Sequence, residues 1–226
     1  MSGGVAPGRP RVALIHATRL AMGPIAAALA RGWPEADPFD ILDEALQAER
    51  ARHAAGAPAL VARFVDLSGK ARARGAAAIL YTCSAFGPEI EAARRAVPLP
   101  TLKPNEAMVD DAVAAGPRVA LLATFEPSLA PMRAELLEAA AARGRTLEVE
   151  TRFVAGAMSA LERGDGDAHD AAIAAAAEGL RADALLLAQF SMARARERVA
   201  AVWAGPVLTS PDSAVRALRA AVVSLY

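Results

Sequence analysis

The only cysteine of this 226-residue chain, Cys83, lies where the composition of the sequence changes abruptly. Residues 78–81 are apolar or aromatic, and small polar residues surround the cysteine directly after them. This pattern predicts a buried strand that delivers its carboxyl end into a loop, which is where open parallel sheets bind ligands. A thiol at this place is a nucleophile, an acid/base group or an inert core residue. The last alternative stays open because free cysteine is often buried.

The second half of the chain repeats the first, which gives Cys83 a counterpart. Three apolar segments recur in the same order at an offset of 106 or 107 residues: 11–18 as 118–125, 76–83 as 182–189, and 100–102 as 206–208. Short apolar strands also resemble one another by chance, but the shared order and offset favour two similar α/β units. The position that matches Cys83 is Gln189. If equivalent strand ends face one cleft, the thiol and this amide approach a ligand from opposite sides.

The residues beside these two positions complete a candidate site. Hydroxyls and backbone N–H groups stabilise the negative oxygens that form when a proton leaves the carbon next to a carboxylate. A helix beginning near Pro88 would place the positive end of its dipole close to the sulfur, so we expect a lowered thiol pKa. The catalytic candidate is Cys83, and the substrate-binding candidates are His16, Thr18, Thr82, Ser84, Ala85, Thr124, Gln189, Phe190 and Ser191.

Some of these residues also have structural interpretations. A histidine at a strand end, such as His16, is more often hydrogen-bonded within the protein than used as a base. Thr124 can simply end a strand, with Ser128 as a local helix cap. We expect the other two histidines, His53 and His169, to lie in solvent.

Strands that alternate with helices must position these residues, and they predict an α/β fold. We expect two pseudo-symmetric Rossmann-like lobes, each with a mostly parallel sheet flanked by helices, and a site in the cleft between them. The predicted strands cover 11–16, 39–42, 78–81, 97–102, 118–124, 146–153, 184–188 and 206–210. The predicted helices cover 24–31, 57–74, 88–96, 106–115, 127–143 and 169–181, with one more before residue 206 and a last one to residue 226. The predicted domains are a flexible arm (1–10), a first lobe (11–105 plus 212–226) and a second lobe (106–211).

The composition excludes several other classes of protein. Hydrophobic residues make up 54% of the chain and aromatic residues 4%, so the core is built from alanine, valine and leucine. Lys+Arg 25 balances Asp+Glu 25, which gives no electrostatic reason to bind nucleic acid or an anionic membrane. One cysteine excludes an intramolecular disulfide, and no cysteine–histidine cluster indicates zinc. Without a basic leader or an apolar run of about 18 residues, a cytoplasmic protein is expected.

At these motifs the sequence resembles the aspartate/glutamate racemase superfamily, which also contains hydantoin racemases, maleate isomerases and arylmalonate decarboxylases. Residues 82–85, Thr-Cys-Ser-Ala, stand where the family has Cys-Asn-Thr-Ala. Residues 123–124, Ala-Thr, stand where it has Gly-Thr, and residues 187–193 stand where it has a Leu-Gly-Cys loop. The resemblance covers nearly the whole chain from Arg11 and implies two α/β lobes with the C-terminal helix packed on the first.

The resemblance implies a cofactor-independent isomerase or racemase that moves a proton at the carbon α to a carboxylate, with Cys83 as the acid/base group. Racemases of this family use two cysteines, one on each face of the substrate carbon. Here Gln189 stands at the second position, and a neutral amide has no useful acid/base pKa. Arylmalonate decarboxylases also carry a single cysteine, but theirs is at the position of Gln189.

Two other functions therefore stay open: a single-cysteine lyase similar to arylmalonate decarboxylase, and a two-lobed small-molecule binding protein without catalysis. In an enzyme, Gln189 would donate to a substrate oxygen or hold a water that delivers a proton to the second face. No Rossmann glycine fingerprint, P-loop or Schiff-base lysine motif is evident, so we expect no cofactor and no metal. The expected partner is a small carboxylate-bearing substrate, and the helices offer surfaces for a homo-oligomer.

Overall fold

The computed structural model describes residues 9–224, so most of the predicted N-terminal arm and the last two residues lie outside the described part. Its contacts divide the chain into two compact units. The first holds the residues up to Pro104 together with those from Val215 onward, and the second holds Asn105–Ala214.

The first unit alternates strands with helices from its beginning. Its elements are β1 (Arg11–His16), α1 (Met22–Gly32), β2 (Asp37–Leu42), α2 (Ala45–Arg52), α3 (Pro58–Ala73), β3 (Ala78–Tyr81), α4 (Gly87–Ala96) and β4 (Thr101–Leu102).

The second unit follows the same alternation. Its elements are α5 (Glu106–Ala115), β5 (Arg118–Ala123), α6 (Leu129–Ala142), β6 (Glu148–Phe153), α7 (Ala157–Glu162), α8 (Gly166–Ala177), β7 (Ala184–Leu187), α9 (Arg196–Ala200) and β8 (Val207–Thr209). The last helix, α10 (Ser210–Val223), begins in the second unit and belongs to the first from Val215 onward. None of the helices in the described chain is long and apolar enough to cross a membrane.

Each unit contains one four-stranded sheet, and the two sheets have the same topology. Their strand orders are β2-β1-β3-β4 and β6-β5-β7-β8, and every neighbouring pair is parallel. The registers match as well, because Val12 pairs with Ala78 in the first sheet and Val119 with Ala184 in the second. The predicted α/β fold with two similar units is therefore confirmed.

The two central strands of each sheet are continuous apolar runs. All four residues of β3 and all four of β7 are buried, and β1 and β5 are exposed only at their first residue. Such runs are typical of parallel strands covered by helices on both faces. Because the central strands are parallel neighbours, their carboxyl ends lie at one edge of each sheet.

The C-terminal helix packs against the first helix of the first unit. A side chain at Gly32, on α1, would come within 3.1 Å of Val215 Cγ1, on α10. On the same helix, Arg219 Nη1 donates to the backbone oxygen of Gly32 at 3.2 Å. A larger residue at this position would require Val215 to move by a few tenths of an ångström, because α10 approaches α1 so closely.

Two short helices, α2 and α7, were not predicted. In α2 only Leu46 is buried, so its eight residues carry no apolar period that sequence analysis can detect. Helix α7 has six residues and begins after Gly156, whose φ of 76° lies in the left-handed region. Both helices are shorter than a periodic pattern needs.

The prediction for His169 was wrong, whereas His53 is exposed as expected. Helix α8 begins at Gly166, before the predicted start, because the side chain of Asp165 caps it by accepting from the backbone N–H of Ala168 at 3.0 Å. On this helix His169 is a buried residue, and its side chain is completely buried. Its Nδ1 lies 2.7 Å from Asp170 Oδ1.

An aromatic cluster supports the carboxyl end of β3. The ring of Phe64 lies 5.1 Å from that of Tyr81 and 4.9 Å from that of Phe86, measured between centroids. The Tyr81 hydroxyl donates to the backbone oxygen of Phe64 at 3.0 Å and lies 2.7 Å from Ser68 Oγ. Burial raises the pKa of Tyr81 to about 12, because the phenolate would lose its hydration.

We predict that Tyr81→Phe lowers the free energy of unfolding by about 1 kcal/mol near neutral pH, because one buried hydroxyl network is lost. The pH dependence is a sharper readout. Since the folded-state pKa is raised above the unfolded value of about 10, the stability that Tyr81 contributes is complete below about pH 10 and is lost as the pH rises toward the folded pKa of about 12. Urea unfolding at several alkaline pH values should show this loss in the parent and a smaller one in Tyr81→Phe. Equal losses in both proteins would contradict this account.

Candidate functional site

In the first unit, the carboxyl ends of β1 and β3 bring three predicted site residues together. The strands are parallel neighbours, and the backbone N–H of Thr82 continues their ladder by donating to Ile15 at 3.0 Å. His16 ends β1, and Thr82 and Cys83 follow β3 directly. The pairing of the two strands therefore places the histidine next to the residue that precedes the thiol.

His16 links two side chains in a hydrogen-bonded chain. Its Nε2 lies 2.9 Å from Asp40 Oδ1, and its Nδ1 lies 2.8 Å from Thr82 Oγ1. Burial lowers the pKa of His16, against a smaller raising effect of Asp40. A neutral ring donates from one nitrogen only, and the carboxylate can only accept, so Nε2–H donates to Asp40. Nδ1 then accepts from the Thr82 hydroxyl.

This chain determines what His16 and Thr82 can offer to a ligand. The His16 side chain is completely buried, and both of its ring nitrogens are bonded within the protein. The Thr82 hydroxyl donates its hydrogen to His16, so it can only accept a hydrogen bond from a ligand. Sequence analysis did not identify Asp40, although an acidic residue inside a strand beside a histidine-bearing strand is a detectable signal.

The Cys83 thiol is partly buried and receives two hydrogen bonds. Gln47 Nε2 lies 3.7 Å from Sγ, and the backbone N–H of Ala85 also donates to the sulfur. Burial nevertheless raises the pKa of Cys83, because its effect outweighs the lowering by the two donors. The expectation of a lowered thiol pKa was therefore wrong, and the thiol is protonated at neutral pH.

The surroundings of the sulfur explain the strength of the burial effect. A narrow cavity, too small to hold a water molecule, lies beside Cys83, and most of its lining is apolar. It is lined by Ile15, His16, Ala17, Leu46, Phe64, Tyr81, Cys83 and Phe86. Such walls cannot replace the hydration that a thiolate needs.

The remaining candidates of the first unit are more exposed than His16 and Thr82. Ser84 and Ala85 belong to a short 3₁₀ turn, Ser84–Phe86, and both are exposed. Thr18 is half-buried, and its hydroxyl accepts from the backbone N–H of Leu20 at 3.4 Å. The Ser84 and Thr18 hydroxyls are therefore the accessible side-chain polar groups among these candidates.

In the second unit, Gln189 follows β7 at the position that Cys83 has after β3. Its Oε1 accepts from the backbone N–H of Thr124 at 2.9 Å and from Thr124 Oγ1 at 3.2 Å. Its Nε2 donates to Ser128 Oγ at 2.6 Å, and Ser128 in turn donates to the backbone oxygen of Phe125 at 2.7 Å. Gln189 thus fastens the segment that follows β5, and we call this set of bonds the glutamine clamp.

The glutamine clamp uses most of the polar capacity at this strand end. Both acceptor sites of the Gln189 oxygen are occupied, and the hydroxyls of Thr124 and Ser128 both donate within the clamp. One N–H of the amide is left over. Of the other two candidates, Phe190 is buried and Ser191 is half-buried.

No metal centre is evident at either strand end. Among residues 9–224, no group of three or more His, Cys, Asp or Glu side chains is placed to hold a metal ion.

Comparison with known proteins places this architecture in a family. The model of the Asp/Glu/Hydantoin racemase family matches residues 9–218, so the chain belongs to that family. A search of curated protein sequences gives no significant match.

Several solved structures share the fold at low sequence identity. Glutamate racemase from Bacillus anthracis has a TM-score of 0.68 at 12% identity, over 96% of this chain and 83% of its own. Allantoin racemase from Klebsiella pneumoniae has a TM-score of 0.68 at 20% identity, over 96% of this chain and 88% of its own. Unliganded arylmalonate decarboxylase has a TM-score of 0.60 at 18% identity, over 94% of this chain and 93% of its own.

The glutamine clamp gives a testable prediction. Gln189→Met removes the acceptor for the buried Thr124 N–H, which should lower the free energy of unfolding by about 1–3 kcal/mol and speed hydrogen exchange at that amide. Gln189→Glu is the matched control, because its carboxylate still accepts from Thr124 and the Ser128 hydroxyl can turn to donate to it. Denaturant unfolding and exchange measured by NMR check both variants. Unchanged stability and exchange in Gln189→Met would show that the clamp does not order this segment.

Proposed function

We propose that this protein is a cofactor-independent enzyme that transfers a proton at the carbon α to a carboxylate, with Cys83 as the acid/base group. The observation that carries the proposal is the environment of the thiol: it stands at the carboxyl end of β3, beside accessible hydroxyls, and burial keeps it protonated. A group that exchanges protons with carbon must be held in place and kept from bulk water, and this one is.

The first candidate reaction is isomerisation, which is supported by membership in the racemase family. The fold neighbours described as glutamate racemase and allantoin racemase belong to this reaction type. In such a reaction the Cys83 thiolate would take the proton from the substrate carbon. Delivery of a proton to the other face would need a water, because the amide of Gln189, at the position that matches the second thiol of the racemases, does not exchange protons readily.

The second candidate reaction is decarboxylation, and two observations favour it. The glutamine clamp leaves no side chain with a useful pKa at the position that matches the second thiol of the racemases. Burial raises the pKa of Cys83, and a protonated thiol is the form that protonates an enediolate after CO₂ leaves. One fold neighbour is an arylmalonate decarboxylase.

We also propose a reducing, cytoplasmic setting, since this chemistry requires a free thiol.

Solvent-deuterium exchange tests the shared step. The parent protein is incubated in D₂O with a panel of amino acids, hydantoins, small diacids and disubstituted malonates, and deuterium at the α carbon is followed by NMR. We expect exchange or product labelling with at least one class, and a loss of at least about 100-fold in Cys83→Ala. Cys83→Ser is the matched control for size, and it should also lose most activity because a hydroxyl is a far weaker acid. Ligand binding without labelling would indicate a binding protein, and unchanged labelling in Cys83→Ala would end the catalytic assignment.

The pH dependence of the rate separates the two candidate reactions. An isomerase that begins with the thiolate becomes faster as the pH rises toward the raised pKa of Cys83. A lyase that uses the protonated thiol keeps its rate at neutral pH and loses it as the pH passes that pKa. Steady-state rates of the parent between neutral and alkaline pH, with a substrate identified by the panel, check this. A rate that is independent of pH through this range would contradict both versions.

A further inference from the structure

Helix α2 carries a side chain that reaches the candidate reacting atom. It begins two residues after β2 ends, and Gln47 in its first turn places Nε2 3.7 Å from Cys83 Sγ. Gln47 itself is exposed, so the core does not require an amide at this position. The only polar side chain that is bonded to the sulfur in the described chain is therefore supplied by an exposed helix.

We propose that Gln47 is a further functional residue, which holds the sulfur of Cys83, and that Glu89 acts through Arg50 as a positioning residue that keeps α2 over the thiol. The role in catalysis rests on the proposed function, whereas the contact itself does not.

The chemistry of the contact gives it a direction. An amide N–H that donates to sulfur binds the negatively charged thiolate more strongly than the neutral thiol. Gln47 therefore opposes the effect of burial and lowers the pKa of Cys83 from the value that burial alone would set. Because the side chain carries no charge, it does this without attracting a counter-ion to the site.

Apolar packing alone does not hold α2 in place, since Leu46 is its only buried residue. Ion pairs fasten it instead. Arg63, on α3, donates to both carboxylate oxygens of Asp43 at 2.6 Å and to Glu49 Oε1 at 2.5 Å. These bonds tie the turn before α2 and the middle of α2 to α3.

A second ion pair ties α2 to the helix that follows Cys83. Glu89, in the first turn of α4, is completely buried. Its Oε1 accepts from Arg50 Nη1 at 3.1 Å and from the backbone N–H of Gly56 at 2.7 Å, and Arg50 also donates to the backbone oxygen of His53. Glu89 Oε2 has no hydrogen-bond partner within the described residues, so compensation of this buried charge depends on Arg50 and Gly56.

Glu89 is connected to Cys83 in two ways, through α4 and through α2. The turn that carries Cys83 leads directly into α4, which carries Glu89. Glu89 then holds Arg50, one turn of α2 beyond Gln47. Movement of α2 away from α4 would therefore break the buried ion pair as well as the contact with the sulfur.

Titration of Cys83 can be observed separately from the groups around it. His16 and Tyr81 line the same cavity, but burial lowers the pKa of His16 and raises that of Tyr81 to about 12, so neither changes charge between about pH 7 and 10. The charged groups on the elements around the thiol are Asp40 beside His16, Asp43 and Glu44 before α2, Glu49 and Arg50 on α2, Arg19 paired with Glu44, Arg63 on α3, and Glu89 on α4.

The test measures how fast iodoacetamide alkylates the full-length protein as a function of pH. The chain has one cysteine, so the midpoint of the curve reports the pKa of Cys83. We expect Gln47→Leu to raise the midpoint by roughly 0.5–1 pH unit, and Gln47→Glu to raise it further because its carboxylate repels the thiolate. Ala48→Gln is the matched control, since it adds an amide to the same exposed helix and should leave the midpoint unchanged. An unchanged midpoint in Gln47→Leu would overturn the proposal.

The positioning role of the Glu89–Arg50 pair is tested in the same assay. Arg50→Met should shift the midpoint in the same direction as Gln47→Leu, whereas Arg50→Lys should keep the parent value because it retains the charge. The double variant Gln47→Leu with Arg50→Met should shift no further than Gln47→Leu alone, because both changes remove one contact. Additive shifts would overturn the positioning role. If Arg50→Met fails to fold, Arg50→Gln combined with hydrogen exchange in α2 decides the same point, because it also removes the charge that pairs with Glu89. Faster exchange and a shifted midpoint are expected together, and faster exchange with the parent midpoint would overturn the positioning role.

Alkylation requires no substrate, so its outcome is independent of the proposed reaction. Shifted midpoints without any substrate labelling would support the contact between Gln47 and Cys83 and contradict the proposed function. Labelling that depends on Cys83, together with unchanged midpoints, would keep the function and remove the role of Gln47.

Discussion

The burial of one sulfur atom at the end of a central strand is the constraint on which the rest of the site depends. The aromatic cluster at the carboxyl end of β3 and the other apolar side chains beside Cys83 keep water from the thiol. This burial raises the pKa of the thiol. Two donors, Gln47 and the Ala85 backbone, oppose the effect without cancelling it. The balance leaves a protonated thiol whose conjugate base is nevertheless stabilised, which suits the acid/base role that we propose for it.

The two units show how one topology supports two different chemistries. Their sheets have the same strand order and register, yet the equivalent positions after β3 and β7 carry a thiol and an amide. The amide is committed to the glutamine clamp, which orders the segment after β5. Gln189 therefore has a structural role and provides no acid/base group. Cys83 and Gln189 differ in their hydrogen bonds as well as in residue type.

The sequence predicted those parts of the structure that depend on backbone periodicity. The internal repeat predicted two sheets in one topology, and the matched registers of β1 with β3 and β5 with β7 show why the offset was informative. The grouping of His16, Thr82 and Cys83 follows from parallel pairing alone. Prediction failed where tertiary contacts decide. Helix α2 has no apolar period because ion pairs hold it, and His169 is buried because α8 starts at a cap that lies before the predicted start.

The pKa of the thiol could not be predicted because it is a difference between opposing effects. Sequence indicates a helix after Cys83 but not the apolar walls beside the sulfur, and here the walls have the larger effect. The most direct test is a titration of thiolate by ultraviolet absorbance, taken as the difference between the parent and Cys83→Ser. The account predicts no thiolate at neutral pH and its appearance only above the ordinary thiol value of about 8.5. A thiolate signal already present at neutral pH would contradict it.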